Sequence, residues 1–159
     1  AGLIPADRVW DKPYSPLFKY SWKTVYPALL EAAKVNEGSP YDGIIMDYSN
    51  PLTGGPVMQT MGASMQLLRA GEHTKAHRHT GSFVYQCAKG KGYSIIGGKR
   101  YDWKERDIFC VPSWVYHEHV NLSETEDACL FSFNDLPVIK SLGLYQEQAY
   151  TENNGFQTI

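Results

Sequence analysis

The 159-residue sequence has no apolar run approaching the about 20 residues that a bilayer span requires. It has no charge excess either. Fifteen Lys and Arg against seventeen Asp and Glu leave a net charge of -2, which excludes a basic surface built for a phosphate backbone, so no nucleic acid and no membrane are expected as partners. Cysteine is scarce: Cys87, Cys110 and Cys129 make an odd number with no C-x-x-C spacing, which indicates neither a disulfide framework nor a zinc ribbon. All three lie in apolar runs, so buried, reduced thiols are predicted. Internal repeats and low-complexity stretches are also missing. No signal-peptide pattern is present, which sets a cytoplasmic expectation, and the chain opens on Ala1 rather than Met, as a processed, tagged or partial sequence would.

What is present points to one soluble domain of β-leaning composition. Apolar residues reach 43%, charged residues 20%, and Gly 14, Pro 9 and Tyr 11 supply turns and aromatic strands. Residues 1–20 read as an extended apolar arm carrying Pro5, Pro13 and Pro16 among aromatics. Ser21 is the expected N-cap of a helix ending near Val35, and Pro27 moves its regular start toward Tyr26. Short strands are then expected at Gly43–Tyr48, Ser64–Arg69, Ser82–Ala88, Tyr93–Ile96, Lys99–Trp103, Asp107–Val111, Glu118–Leu122 and Ala128–Asn134. Gly97-Gly98 is a hairpin signal between two of them. With no helices between the strands, the class is all-β, a sandwich or barrel. Pro137–Gln148 is expected to form a short amphipathic helix and Thr151–Ile159 a loose tail. The chain therefore divides into an arm and helix (1–41), a β unit (42–136) and a C-terminal helix and tail (137–159).

All five histidines fall in two short segments, Gly71–His79 and Pro112–Asn121. On a strand, side chains alternate, so His77 and His79 share one face and Arg78 takes the other. His117 and His119 repeat that spacing about forty positions later. Two such pairs can converge on one metal ion. His73 precedes the strand and is expected to be an exposed loop residue.

Gly71, His77-x-His79 and Gly90 fit the first cupin motif, G-x5-H-x-H-x3,4-E-x6-G, except that Phe83 stands where the glutamate belongs. Pro112, Trp114, His117 and Asn121 resemble the second, with Trp114 and Arg106 in place of its two glycines. Cupins that coordinate iron with three histidines lack that glutamate. The chain resembles the gentisate/salicylate 1,2-dioxygenase family of ring-cleaving bicupins. His77–Ser82 and Pro112–Asn121 look like the iron-site motifs of its catalytic cupin. Ser15–Trp22, Asn50–Pro56 and Leu130–Asp135 look like its C-terminal half, in which many members have lost the histidines.

The resemblance implies a single cupin (jelly-roll) β-barrel with an N-terminal arm and one or two short helices. It implies Fe(II) held by His77, His79 and His117, with Zn, Mn or Ni as alternatives, because a three-histidine site with open positions suits those ions too. His119 would hydrogen-bond substrate or an oxygen-derived species, with a structural role open beside it. The expected reaction is cleavage of a hydroxylated aromatic carboxylic acid by O2. Arg78, Tyr85, Trp103 and Trp114 are candidate substrate contacts, the aromatics being equally at home in a core. Tyr85 replaces an arginine that pairs with the substrate carboxylate in the family, so Arg69, Arg78 or Arg100, a missing domain or a neighbouring subunit must supply that contact. A lyase or isomerase using the same metal, and a non-catalytic metal- and ligand-binding cupin, are the alternatives. At least a homodimer is expected.

Overall fold

The computed structural model describes residues 19–159. The arm expected over 1–20 lies almost wholly outside them. Ten strands form two antiparallel five-stranded sheets. The first holds, in order, β1 (Ile44–Asp47), β2 (Gly62–Leu68), β9 (Ala128–Asn134), β4 (Phe83–Lys89) and β7 (Ile108–Val111). The second holds β10 (Glu147–Ala149), β3 (His77–His79), β8 (His117–Asn121), β5 (Lys91–Ile96) and β6 (Lys99–Lys104). The fold is all-β, a jelly roll of two facing sheets rather than one closed barrel.

Alternation along these strands builds the core. Leu68, Phe83, Tyr85, Cys87, Val111 and Leu130 from the first sheet meet Ile96 and Trp103 from the second. The opposite face of the first sheet presents Ile44, Met65, Leu67 and Cys129 to helix α1 (Trp22–Val35), whose Leu29 is fully buried there. Burying that one leucine contributes about 2 kcal/mol. Gly97 and Gly98, at φ 58° and 75°, make the tight turn between β5 and β6 that their sequence signals.

Several expectations need correction. Helix α1 begins at Trp22, not near Tyr26, and carries Pro27 inside it, on its exposed side. The carbonyl four residues back, at Lys23, can turn to water there, which softens the loss of its helical bond. Ser21 occupies the N-cap, yet its hydroxyl makes no capping bond. The C-terminal helix α2 is only Leu136–Ser141; Glu147–Ala149 instead pairs with His77–His79 as an edge strand. The tail is not loose. Gly155 accepts a bond from the Ala76 amide, and buried Gln157 bonds Ile95 and Gly98 through its side chain. Its backbone N–H donates to Glu118, which is fully buried on the outer face of the second sheet. His73 is exposed and precedes β3, as expected, and its ring lies 3.2 Å from that same carboxyl and against the Phe156 ring. Cys87 and Cys129 are buried, but Cys110 is exposed because β7 is an edge strand and alternation turns that residue outward.

Arg106 and Trp114, which stand where the second cupin motif has glycines, both keep a left-handed backbone, at φ 75° and 63°. The turn geometry has outlasted the residue that makes it easy. A side chain in that region costs about 1 kcal/mol. Arg106 is exposed. Arg106→Gly is therefore expected to stabilise the fold by about 0.5–1 kcal/mol, read as a higher melting temperature; an unchanged or lower value would refute the strain.

Candidate metal centre

Strand β3 supplies His77 and His79 to the inner face of the second sheet, and its neighbour β8 supplies His117, directly opposite His77 in the register. One ring nitrogen of each lies within 4.8 Å of the others, and all three side chains are buried. The rings form a near-regular triangle, with centroids 4.6, 4.9 and 5.2 Å apart.

The hydrogen bonds behind these rings decide which nitrogen faces inward. Nδ1 of His117 donates to the Val115 carbonyl at 3.0 Å, Nδ1 of His79 faces the Thr80 carbonyl at 3.3 Å, and Nδ1 of His77 faces Glu147 Oε1 at 3.2 Å. Each partner is an acceptor, so each Nδ1 holds a proton, and in the neutral ring Nε2 keeps a free lone pair. Tyr145 donates to the other oxygen of Glu147 at 2.9 Å. Burial pushes Glu147 upward, but the hydrogen bonds from Tyr145 and His77 outweigh it and hold the carboxyl below its usual range. Burial, then the neighbouring His77, lowers His79; burial and the three other imidazoles hold His117 well below the ordinary histidine value. Neutral imidazoles with free Nε2 atoms are the state in which histidine binds a metal. The donor set fits a divalent transition ion.

His119 is arranged the other way. Trp103 Nε1, a donor only, bonds Ser94 Oγ at 3.0 Å, so the Ser94 hydroxyl proton is free for His119 Nδ1 at 2.7 Å. His119 therefore carries its proton on Nε2. Burial, reinforced by His77 and His79, lowers it to about 3, which keeps it a neutral N–H donor. Its ring lies 5.0 Å from Tyr85, which stacks on Phe109. Burial raises the Tyr85 phenol, so it stays protonated.

The candidate substrate contacts separate into two groups. Tyr85 is inside, next to His119, while Trp103 is a core residue that reaches the site through Ser94. A Cβ on Gly92 would run into the Trp103 ring and the Val120 carbonyl, so glycine there lets the indole lie across β5. Arg78 and Trp114 are not brought to the histidines. Arg78 points from the opposite face of β3, where its guanidinium stacks on Trp114 and Tyr116 and bonds Gln148. Arg69 bonds backbone carbonyls at Ala33, Asn36 and Glu37, and Arg100 pairs with Asp102. Two residues beside the triad, and one on the inner face of the other sheet, escaped the sequence reading. Glu147 and Asp42 touch His77 from distant segments. Gln66 shares the inward register of Leu68, and its amide nitrogen is buried with no partner among the described residues. A glutamine between Ser64 and Leu68 on the inward register of β2 was its one available signal.

Two facing antiparallel sheets with a histidine triad on one inner face define a metal-site jelly roll of the cupin kind. Residues 64–134 match the family described as Cupin domain. It is 45% identical over 145 residues to 5-aminosalicylate 1,2-dioxygenase of a Comamonas species, covering 91% of this chain and 38% of that protein. It is 36% identical to gentisate 1,2 dioxygenase 1 of Aquipseudomonas alcaligenes, covering 92% and 42%. A crystal structure of a salicylate 1,2-dioxygenase variant from Pseudoaminobacter salicylatoxidans, in complex with gentisate, superposes with a TM-score of 0.77 at 29% identity, covering 92% of this chain and 41% of that one. The chain thus spans about two-fifths of the length of these relatives. No helix among the described residues is long and apolar enough to cross a membrane.

Proposed function

We propose that His77, His79 and His117 hold Fe(II), and that the chain serves a dioxygenase that cleaves the ring of a hydroxylated aromatic carboxylic acid with O2. The observation that carries this reading is the split of tautomers: three histidines present bare Nε2 atoms to one point, and the fourth presents an N–H beside it. The 1,2-dioxygenase relatives favour iron over zinc, manganese or nickel. The ion, when bound, would hold the ring and dioxygen side by side and conduct electrons between them.

The chain's own groups do the rest. His119 Nε2–H offers a hydrogen bond to charge developing on oxygen. Phe83, whose ring lies 4.7 Å from His79, together with Tyr85 and Phe109 forms an aromatic wall that excludes water and packs against a flat ring. No arginine among the described residues reaches this space, so recognition of the carboxylate falls to neutral donors, the Gln66 amide and the Tyr85 hydroxyl. The test is oxygen consumption by the iron-loaded, reduced protein with gentisate, salicylate, 5-aminosalicylate and 1-hydroxy-2-naphthoate. Stoichiometric uptake with one of them is expected, and none with any would overturn the assignment.

The missing arginine, with Asp42 and Glu147 flanking His77, favours one second reading: the same metal used as a Lewis acid on a less anionic ligand, in a lyase or isomerase. Turnover without oxygen, restored by zinc or manganese, would select it.

A further inference from the structure

The three histidines of the triad are not held alike. His79 and His117 face neutral backbone carbonyls, of Thr80 and Val115, whereas His77 Nδ1 meets a carboxylate, Glu147 Oε1, at 3.2 Å. That carboxylate arrives from 70 positions further along the chain, past β9 and α2, on the edge strand β10. The register sets Glu147 opposite His79 and Ala149 opposite His77. Paired residues share a face, so the Glu147 side chain leaves β10 on the inner side and reaches diagonally to the His77 ring.

The strand is pinned on both sides of Glu147. Before it, the Thr80 amide donates to the Gln146 carbonyl and the Gln146 amide to the Thr80 hydroxyl; after it, the Tyr150 amide donates to the Ala76 carbonyl. The Tyr145 hydroxyl donates to the second carboxylate oxygen at 2.9 Å, which leaves Oε1 for the imidazole. A backbone carbonyl behind a ring fixes its tautomer and its plane. A carboxylate does both and adds negative charge, which draws on the Nδ1 proton and makes Nε2 the stronger donor to a cation. The Glu147 side chain is 45% exposed, so water screens part of that charge, and the effect is one of affinity rather than of presence or absence of the site.

We infer that Glu147 is a positioning residue for the metal: through Nδ1 it orients His77 and strengthens its Nε2 as a ligand, supplying at one remove the negative charge that three neutral histidines lack. This rests on the three-histidine metal reading. His77 thereby becomes the strongest of the three donors, and the centre depends on a segment outside the two strands that carry its ligands.

Titration of the metal-free whole chain with Co(II), followed by visible absorption, tests it. Glu147→Ala is expected to weaken binding by roughly 10–100-fold, and Glu147→Gln, which keeps an acceptor for Nδ1 without the charge, by less. Gln148→Ala is the control for the strand: its side chain bonds Arg78 on the other face, so wild-type affinity is expected there. In the zinc-loaded protein the Nδ1 proton resonance of His77 should move upfield in Glu147→Ala while those of His79 and His117 stay in place. His117→Ala is expected to abolish binding. Wild-type affinity in Glu147→Ala, with binding lost in His117→Ala, would overturn the role of Glu147 and leave the histidine centre standing. Equal losses in Glu147→Ala and Gln148→Ala, or equal movement of all three proton resonances, would reduce Glu147 to the packing of an edge strand and overturn it likewise. Retained binding in His117→Ala would overturn the metal reading itself.

Discussion

Replacing His117 with alanine is expected to strip the metal from the chain and to lower oxygen consumption with its aromatic acid by at least about a thousandfold. His117 is 1% exposed, sits directly across the register from His77, and has its Nδ1 tied to Val115. Two remaining Nε2 atoms cannot enclose an ion on one face as three do. The informative control is His73→Ala. That imidazole belongs to the short segment that carries His77 and His79, but it faces Glu118 on the other side of the sheet. Metal content, measured by elemental analysis on protein purified without added metal, should be unchanged in His73→Ala and near zero in His117→Ala. Equal loss in both, or retention in both, would show that the triangle of rings is only a hydrogen-bonded piece of the core. A melting curve of each variant separates metal loss from unfolding.

The triad was legible because its chemistry is written in a local rule. Residues i and i+2 of a strand share a face, so H-x-H announces convergence wherever it falls on β structure. The turn signals and apolar alternation of β2, β4 and β9 were legible for the same reason: each is a pattern within a few residues. Glu147 and Asp42 obey no such rule. They meet His77 across 70 and 35 positions, through an edge strand and a turn, and nothing near either residue marks it as a neighbour of a histidine. Strand β10 was hidden likewise. Glu147–Ala149 has three residues and little β preference, and it exists because β3 offers an open edge beside it.

Sidedness explains the misplaced contacts. Arg78 and Trp114 lie beside the histidines in sequence, and proximity along the chain suggested a shared pocket. The pleat separates them: His77 and His79 go inward, Arg78 outward, and Trp114 follows Arg78 through the stacking of guanidinium on indole. Arg106 and Trp114 carry a different lesson. As residues they depart from the glycine motif, while as backbone they follow it, so the motif describes a path of the chain more faithfully than it describes its side chains.

His119 is expected to matter by donating a hydrogen bond, and the line from Trp103 through Ser94 is what makes it a donor. Changing it to phenylalanine keeps an aromatic ring against Tyr85 and leaves the three Nε2 atoms in place, so metal content should persist while kcat/KM falls by about 100–1000-fold. Ser94→Ala reaches the same end by another route. It removes the donor to Nδ1, so the proton on His119 is no longer confined to Nε2. A fall of about tenfold or more in kcat/KM is expected, with a loss of about 1–3 kcal/mol of stability because the buried Trp103 N–H loses its acceptor. Stability alone cannot distinguish a positioning role for Ser94 from a packing role; nitrogen chemical shifts of the His119 ring can. In the wild-type, zinc-loaded protein they should report a protonated Nε2 and a bare Nδ1, and in Ser94→Ala a mixture of the two forms. A ring that stays in one tautomer without Ser94, or a His119→Phe variant that turns over normally, would return His119 to the core as a structural residue.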